Sequence, residues 1–293
     1  TFTQAPSPSH LVSTLPFIWN STIFSNGTNP GIIGYMQPTF IKSKTDGFFY
    51  SLFFAIFDSA IGKERGACLA RTSDLTNPSS WRIWDGAGFN IPLINPYTNP
   101  QSNWSQYKCA FIGKPTIGSM RGSLTWNTYF NKYMLVSQSF FPDPQNQTNN
   151  ICGFFYSLSS DLINWDTPEL IKVAPSPNPP CQTNDPFYEA YPSVIDHDST
   201  DPVNFGETDN TFYIYFTRRL KSSPDGDLIR VPVTINAVAT CGNNICEAGE
   251  NCGNCLGDCS CNIGEVCQSG QCIPQVGGAL NVELDVKEIA KVG

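Results

Sequence analysis

Hydrolytic, nucleophilic and metal chemistry each need particular side chains at particular spacings, and this 293-residue chain offers few of them. Its two histidines, His10 and His197, leave a histidine-based triad little to draw on. No Gly-x-Ser-x-Gly elbow is present to hold a serine nucleophile. Carboxylates are more plentiful. Asp46, Asp74, Asp161, Asp209 and Asp225 stand beside Gly, Ser or Asn, where an Asp accepts hydrogen bonds from its own turn. Asp85, in Trp84-Asp-Gly-Ala-Gly88, is read in the same way. Asp196-His197-Asp198 has the residue types of a metal or acid-base site, but it opens a Ser/Thr/Asp/Pro loop, and the loop reading is preferred. The densest set of hard oxygen ligands is Asn244, Glu247, Glu250, Asn251 and Asp258. Such ligands suit Ca2+ better than a transition metal, the alternative being a solvated acidic face. Zinc is the rival use of the nearby Cys-x-x-Cys, here without His.

Those oxygen ligands lie among cysteines. Cys241, Cys246, Cys252, Cys255, Cys259, Cys261, Cys267 and Cys272 crowd one short stretch, whereas Cys68, Cys109, Cys152 and Cys181 are scattered. Twelve cysteines suit an oxidising compartment, where they pair as disulfides. Four N-glycosylation acceptors, at Asn20, Asn26, Asn103 and Asn146, point the same way. Charged residues make up only 14%, against about a quarter in ordinary soluble domains, and glycans would supply the missing hydration. A secreted, extracellular glycoprotein is expected. The formal net charge of −8 argues against a nucleic-acid partner, which wants clustered Lys and Arg, and none is expected. The longest apolar run, Gly47 to Phe57, is too short for a membrane span, and the first ten residues do not read as a signal peptide.

The elements that must position these residues are strands. Residues 1–239 are rich in Phe, Tyr, Ile, Val and Thr and punctuated by Pro, Gly, Asn and Asp, which predicts an all-β domain. A hairpin recurs three times: Gln37-Pro-Thr-Phe-Ile41 before Gly47-Phe-Phe-Tyr50, Lys114-Pro-Thr-Ile117 before Tyr129 to Leu135, and Tyr191-Pro-Ser-Val-Ile195 before Asn210 to Phe216. Two of them are followed by a strand, a Ser-Asp-Leu turn and a Trp, at Ser73-Asp-Leu to Trp81 and Ser160-Asp-Leu to Trp165. The strand before that turn would be third of four in a sheet, with the Trp strand at its outer edge, as in a propeller blade. Residues 240–275 are too short and polar to bury a core and need disulfide staples, whose connectivity the sequence leaves open. After the Gly277-Gly278 hinge, Leu280, Val282, Leu284 and Val286 alternate with polar residues, which predicts a C-terminal strand in residues 276–293.

The repeated hairpin and the Ser-x-Asp-Leu-x-x-Trp element over roughly Gly31 to Val233 resemble the five-bladed β-propeller of glycoside hydrolase families 43, 62, 32 and 68. Cys-Glu-x-Gly-Glu-x-Cys-x-x-Cys-x-x-Asp-Cys resembles Notch-type extracellular repeats, several of which hold calcium. The first resemblance implies three acids at an axial cleft, one of them just before a Pro on the first blade. Gln37, Lys114 and Tyr191 precede the repeat prolines, and none is an acid. Glu189, in Tyr188-Glu-Ala-Tyr-Pro192, is the surviving candidate for a general acid, one residue further from the Pro than the resemblance asks. A one-residue slip on a strand turns a side chain to the other face.

A non-catalytic scaffold is therefore expected, binding glycans through Gln37, Lys114, Trp126 and Tyr191 or serving as a subunit among other extracellular proteins. Its C-terminal strand could then add to a neighbouring copy to build a homopolymer filament. The alternatives are an active glycoside hydrolase using Glu189, and a monomeric lectin-like receptor.

Overall fold

The computed structural model describes residues 32–59, 62–95, 98–99, 105–118, 120, 122–143, 146–176, 185–201, 206–222, 225–235, 251–253, 257, 259–262 and 265–274. Contacts divide the chain into two units, Thr1–Ile235 and Asn236–Gly293. Among the described residues there is no α-helix, and the all-β class predicted from the strand-forming composition is what the first unit shows. No helix among them is long and apolar enough to cross a membrane.

The first sheet is an antiparallel run of β1 (Ile32–Lys42), β2 (Phe49–Ser59), β3 (Gly62–Thr72), β4 (Arg82–Trp84) and β5 (Phe89–Pro92), paired in that order. The second takes β6 (Gly122–Asn127), β7 (Lys132–Asp143), β8 (Asn146–Ser159) and β9 (Glu169–Val173). Then come β10 (Phe187–Ile195), β11 (Glu207–Thr208), β12 (Thr211–Leu220) and β13 (Gly226–Thr234). Strands β10, β12 and β13 form the third sheet, while β11 returns to pair in parallel with β6. Three blade-like sheets of the five implied by the resemblance lie among the described residues.

Period-two alternation decides how they stack. On β7, Tyr133 and Leu135 enter a core with Tyr50, Leu52 and Leu69 of the first sheet, while Met134 and Val136 enter another with Phe212, Ile214 and Phe216 of the third. The second sheet is thus buried on both faces, between the other two. All four β7 residues are at most 1% exposed, and each such burial contributes about 1.5–3 kcal/mol relative to exposure. The far face of the first sheet closes over Phe53, Ala55 and Phe57, and the Cys68–Cys109 disulfide ties β3 to the segment before β6.

Two of the three predicted hairpins, β1–β2 and β10–β12, form as read. In both, the X-Pro step falls at a bulge: register shifts between Met36 and Thr39, and between Ala190 and Ser193. A proline has no N–H for the ladder, so a bulge is where a strand tolerates it. The middle hairpin differs. Lys114 and Pro115, joined by a cis peptide, lie in a turn, and the strand that pairs with β7 is β6. The Trp strands also differ in detail. Trp81 and Trp165 are buried just before β4 and β9, and β5 lies outside β4, so the Trp strand of the first sheet is not its edge. Leu228 to Val233 lie within β13, paired with β12.

In the second unit, β14 (Glu265–Gln268) and β15 (Gln271–Pro274) form a hairpin. Its two-residue turn, Ser269-Gly270, has φ of 51° and 78°, the pair of positive values that a twisted two-residue hairpin needs. Disulfides Cys252–Cys267 and Cys261–Cys272 staple it. Cys152 and Cys259 are also disulfide-bonded, and none of the described cysteines is free. Cys181, Cys241, Cys246 and Cys255, acceptors Asn20, Asn26 and Asn103, and the predicted C-terminal strand lie outside the described residues. Asn146 opens β8, its side chain likewise outside them.

Candidate functional site

Alternation along β1 sends Ile41 into the core and leaves Phe40 and Lys42 on the opposite face. Lys42 is paired directly with Phe49 of β2, and its ammonium lies 5.5 Å from the centre of that ring. Phe40 is 59% exposed, meeting Trp81 edge-on at 6.1 Å. These three residues, Phe40, Lys42 and Phe49, line a cavity of about 810 Å³ whose other lining includes Lys44, Asp201 and Glu207. Glu207 is held in place because β11 is anchored on β6: Trp126 donates its backbone N–H to Gly206, and Thr128 donates to Thr208. Lys44 is ion-paired with Glu207 and lies 3.8 Å from Asp201. The hydrogen bond to Glu207 raises the Lys44 pKa above its ordinary value, with both carboxylates adding to the shift and partial burial opposing it. Lys44 therefore stays an ammonium, and both acids of this cavity converge on it. Ser43, which lines both this cavity and the next, accepts at Oγ from the Tyr133 hydroxyl at 2.9 Å and from the backbone of Thr45 and Asp46.

A second cavity, about 510 Å³, is lined by Asp46, Tyr50, Arg71, Trp84, Phe89 and Asp161, among others. Arg71 lies between the rings of Phe48 and Phe89, 4.3 Å from each centre, and donates to the Tyr50 hydroxyl at 3.3 Å. Tyr50 donates to Asp46 at 2.7 Å. Burial pushes Tyr50 up to about 12, with Asp46 adding to the shift and Arg71 opposing it. Burial also raises Asp46, but Ser43, Tyr50, the Phe48 amide and Arg71 outweigh it, so the carboxyl ends below its usual range. Asp161 follows the same pattern: the Asn164 and Ile163 amides and the side chains of Asn164 and Ser159 overcome its desolvation.

Asp74, Asp85 and Asp209, read as turn residues, accept hydrogen bonds within their own turns. Asp74 accepts from the Thr76 amide and hydroxyl, and Asp85 from the amides of Ala87 and Gly88 and from Asn90. Asp209 accepts from the Thr211 amide. Asp196 is 3% exposed and clamps its loop by accepting from the amides of Asp198 and Asp209. Desolvation, then its hydrogen bond with Asp198, raises its pKa. Oxygens of Asp196, Asp198 and Asp209 lie within 4.8 Å of one another, yet none of the three lines either cavity. His197 stacks on Tyr213 at 4.4 Å and bonds the Tyr215 hydroxyl.

Glu189 is 3% exposed. One oxygen accepts from Arg218 Nε and Nη2 at 3.0 and 2.8 Å, and the other from Lys172. Its partners come from β9 and β12, so the carboxylate ties the second sheet to the third and lines neither cavity. Of the residues expected to bind glycan, Trp126 packs against the core between the first two sheets, 4.9 Å from Tyr133. Lys114 sits in its turn with the ammonium over Phe111. Tyr191 is 71% exposed with φ of 60°, and Gln37 lies on β1 with its side chain outside the described residues. Among the described residues no hydrogen bond, ion pair or ring contact joins Lys114, Trp126 and Tyr191 to one another.

In the second unit, the disulfides occupy Cys252, Cys261, Cys267 and Cys272, so none of these four described cysteines is a thiolate open to zinc. Asn251 Oδ1 accepts from the Gly253 amide at 2.8 Å. Asn244, Glu247, Glu250 and Asp258 lie outside the described residues. The cavity residues Phe40, Lys42, Lys44, Asp201 and Glu207 were not singled out by sequence reasoning. Only the Phe40-x-Lys42-x-Lys44 alternation signals them locally.

No family model and no curated protein matches the sequence. Among solved structures the chain is similar to BT0996 in an RGII complex, with a TM-score of 0.35, 10% identity, and coverage of 68% of this chain and 51% of that one. It is similar to a GH62 hydrolase in complex with xylotriose, with a TM-score of 0.33, 12% identity, and coverage of 75% and 56%. A third is the catalytic domain of the Coprinopsis cinerea GH62 α-L-arabinofuranosidase, with a TM-score of 0.31, 12% identity, and coverage of 80% and 59%. The protein thus spans between 51% and 59% of the length of these three.

Proposed function

We propose that this chain is a secreted, N-glycosylated protein whose glycosidase-type propeller binds saccharide in the cavity between Phe40 and Glu207 and does not cleave it. The observation that carries this is the engagement of Asp201 and Glu207 by a single ammonium, Lys44. Glycoside hydrolysis needs one carboxylic acid to bring a proton to the leaving oxygen and a second carboxylate to attack or to activate water. Here the two cavity acids share one ammonium, ion-paired with Glu207 and 3.8 Å from Asp201. Glu189, the acid expected from the resemblance, spends both oxygens on Arg218 and Lys172. What the cavity does present is an exposed ring, a second ring beside it and fixed polar groups, the set by which sugars are held.

The test is to incubate the glycosylated protein with aryl arabinoside, xyloside and fructoside probes while measuring oligosaccharide binding by titration calorimetry. Saturable binding without release of the aryl group is expected. Release that disappears in Glu207→Gln or Asp201→Asn would overturn the reading and establish a hydrolase.

A further inference from the structure

Resting on that reading of the cavity, we propose that its ligand is an acidic saccharide, a hexuronate-containing chain whose ring stacks on Phe40 while its carboxylate meets Lys42. Two lysines line this cavity, and they differ. Lys44 has Glu207 and Asp201. Lys42 has no carboxylate partner among the described residues, its ammonium lying instead 5.5 Å from the Phe49 ring. An ammonium kept beside a cavity without a counter-ion is placed to receive an anion.

The aromatic surface lies at the right reach. Phe40 and Lys42 are two residues apart on one strand face, roughly 6.6–6.8 Å between Cα atoms. The flexible four-carbon stem of Lys42 can carry its ammonium across that gap to a carboxylate on a sugar held at Phe40. Phe40 itself is 59% exposed in a sheet whose other strand phenylalanines are mostly buried, so its open face is available to a sugar. Charge argues in the same direction. A chain of net charge −8 repels acidic polymers in general, so a site for one must supply its own local cation. A neutral sugar would use Phe40 and leave Lys42 idle.

The experiment uses the full glycosylated chain in titration calorimetry with two probes, a galacturonate trisaccharide and xylotriose. Wild type is expected to prefer the acidic trisaccharide by about tenfold, the size of a charge-assisted hydrogen bond. Lys42→Gln should erase the preference and leave xylotriose affinity within about twofold. Lys42→Arg should keep the preference, and added salt should weaken only the acidic probe. Phe40→Ala should weaken both. Equal binding of the two probes by wild type, or a preference untouched in Lys42→Gln, overturns the acidic ligand while the cavity reading stands. Failure of wild type to bind either probe overturns both.

Discussion

Glu189 is an ion-pair centre between two sheets, and the difference between that role and proton donation is measurable. Glu189→Gln removes a carboxylate from between Arg218 and Lys172 and leaves two cations facing each other across the second and third sheets. Breaking a fully buried pair costs about 3–5 kcal/mol; with both cations about a third exposed, about 2 kcal/mol is expected here. Urea unfolding at pH 7 checks it, and an unchanged midpoint would show that the pairing contributes nothing. The turn acids give the pH dependence. Asp46 and Asp161 have folded pKa values below their usual range. The stability they contribute is therefore fully present above the unfolded carboxylate value of about 3.9 and is lost as pH falls toward the folded values. The melting temperature should fall as pH drops below about 4, and Asp161→Asn should flatten part of that slope; a slope that this variant leaves unaltered would count against the assignment. Turn roles were legible in sequence because an Asp and the amides it caps are two or three residues apart. Those of Glu189 and Glu207 were not, since Arg218 lies 29 residues from Glu189 and Lys44 is brought to Glu207 only by folding.

At the level of strands, legibility followed locality in the same way. The aromatic alternation of β2 and β12 announced two hairpins, and the bulges at Gln37-Pro38 and Tyr191-Pro192 accommodate the prolines that marked them. Lys114-Pro115 has the same letters, but a proline step serves a turn as well as a bulge, and only the pairing of β6 with β7 decides which. The short β5 and β11 escaped prediction because two to four residues carry no periodicity. Close strand approach also leaves a testable mark. A Cβ added at Gly153 of β8 would lie 2.2 Å from the carbonyl oxygen of Lys172 on β9. Gly153→Ala must push these strands apart, at an expected loss of about 1–3 kcal/mol. Hydrogen exchange should show β9 amides losing protection while β7 amides keep theirs; equal loss in both would mean that the strain is not local.

On the scale of the whole chain, the two units hold themselves together by different means, and that difference predicts how each responds to reduction. The first unit stacks three sheets around two large apolar cores, so Cys68–Cys109 supplements a structure that burial already supports. Closing its 41-residue separation contributes about 4 kcal/mol in the chain-entropy picture. The second unit buries only Cys252 and Cys259 among its described residues, and a lone two-stranded hairpin is marginal in water. Its order therefore rests on its disulfides, Cys252–Cys267, Cys261–Cys272 and the one that Cys259 makes. After reduction and alkylation, amides of residues 265–274 should exchange at unprotected rates, while Tyr133 to Val136 of β7 stay protected at 25 °C. Protection persisting in the hairpin would mean that something other than its disulfides orders it, and a bound calcium ion could then be tested by adding a chelator. Collapse of β7 together with the hairpin would instead show that the three-sheet stack cannot stand without its disulfides, Cys68–Cys109 and that of Cys152, and that its apolar cores contribute less than their burial implies.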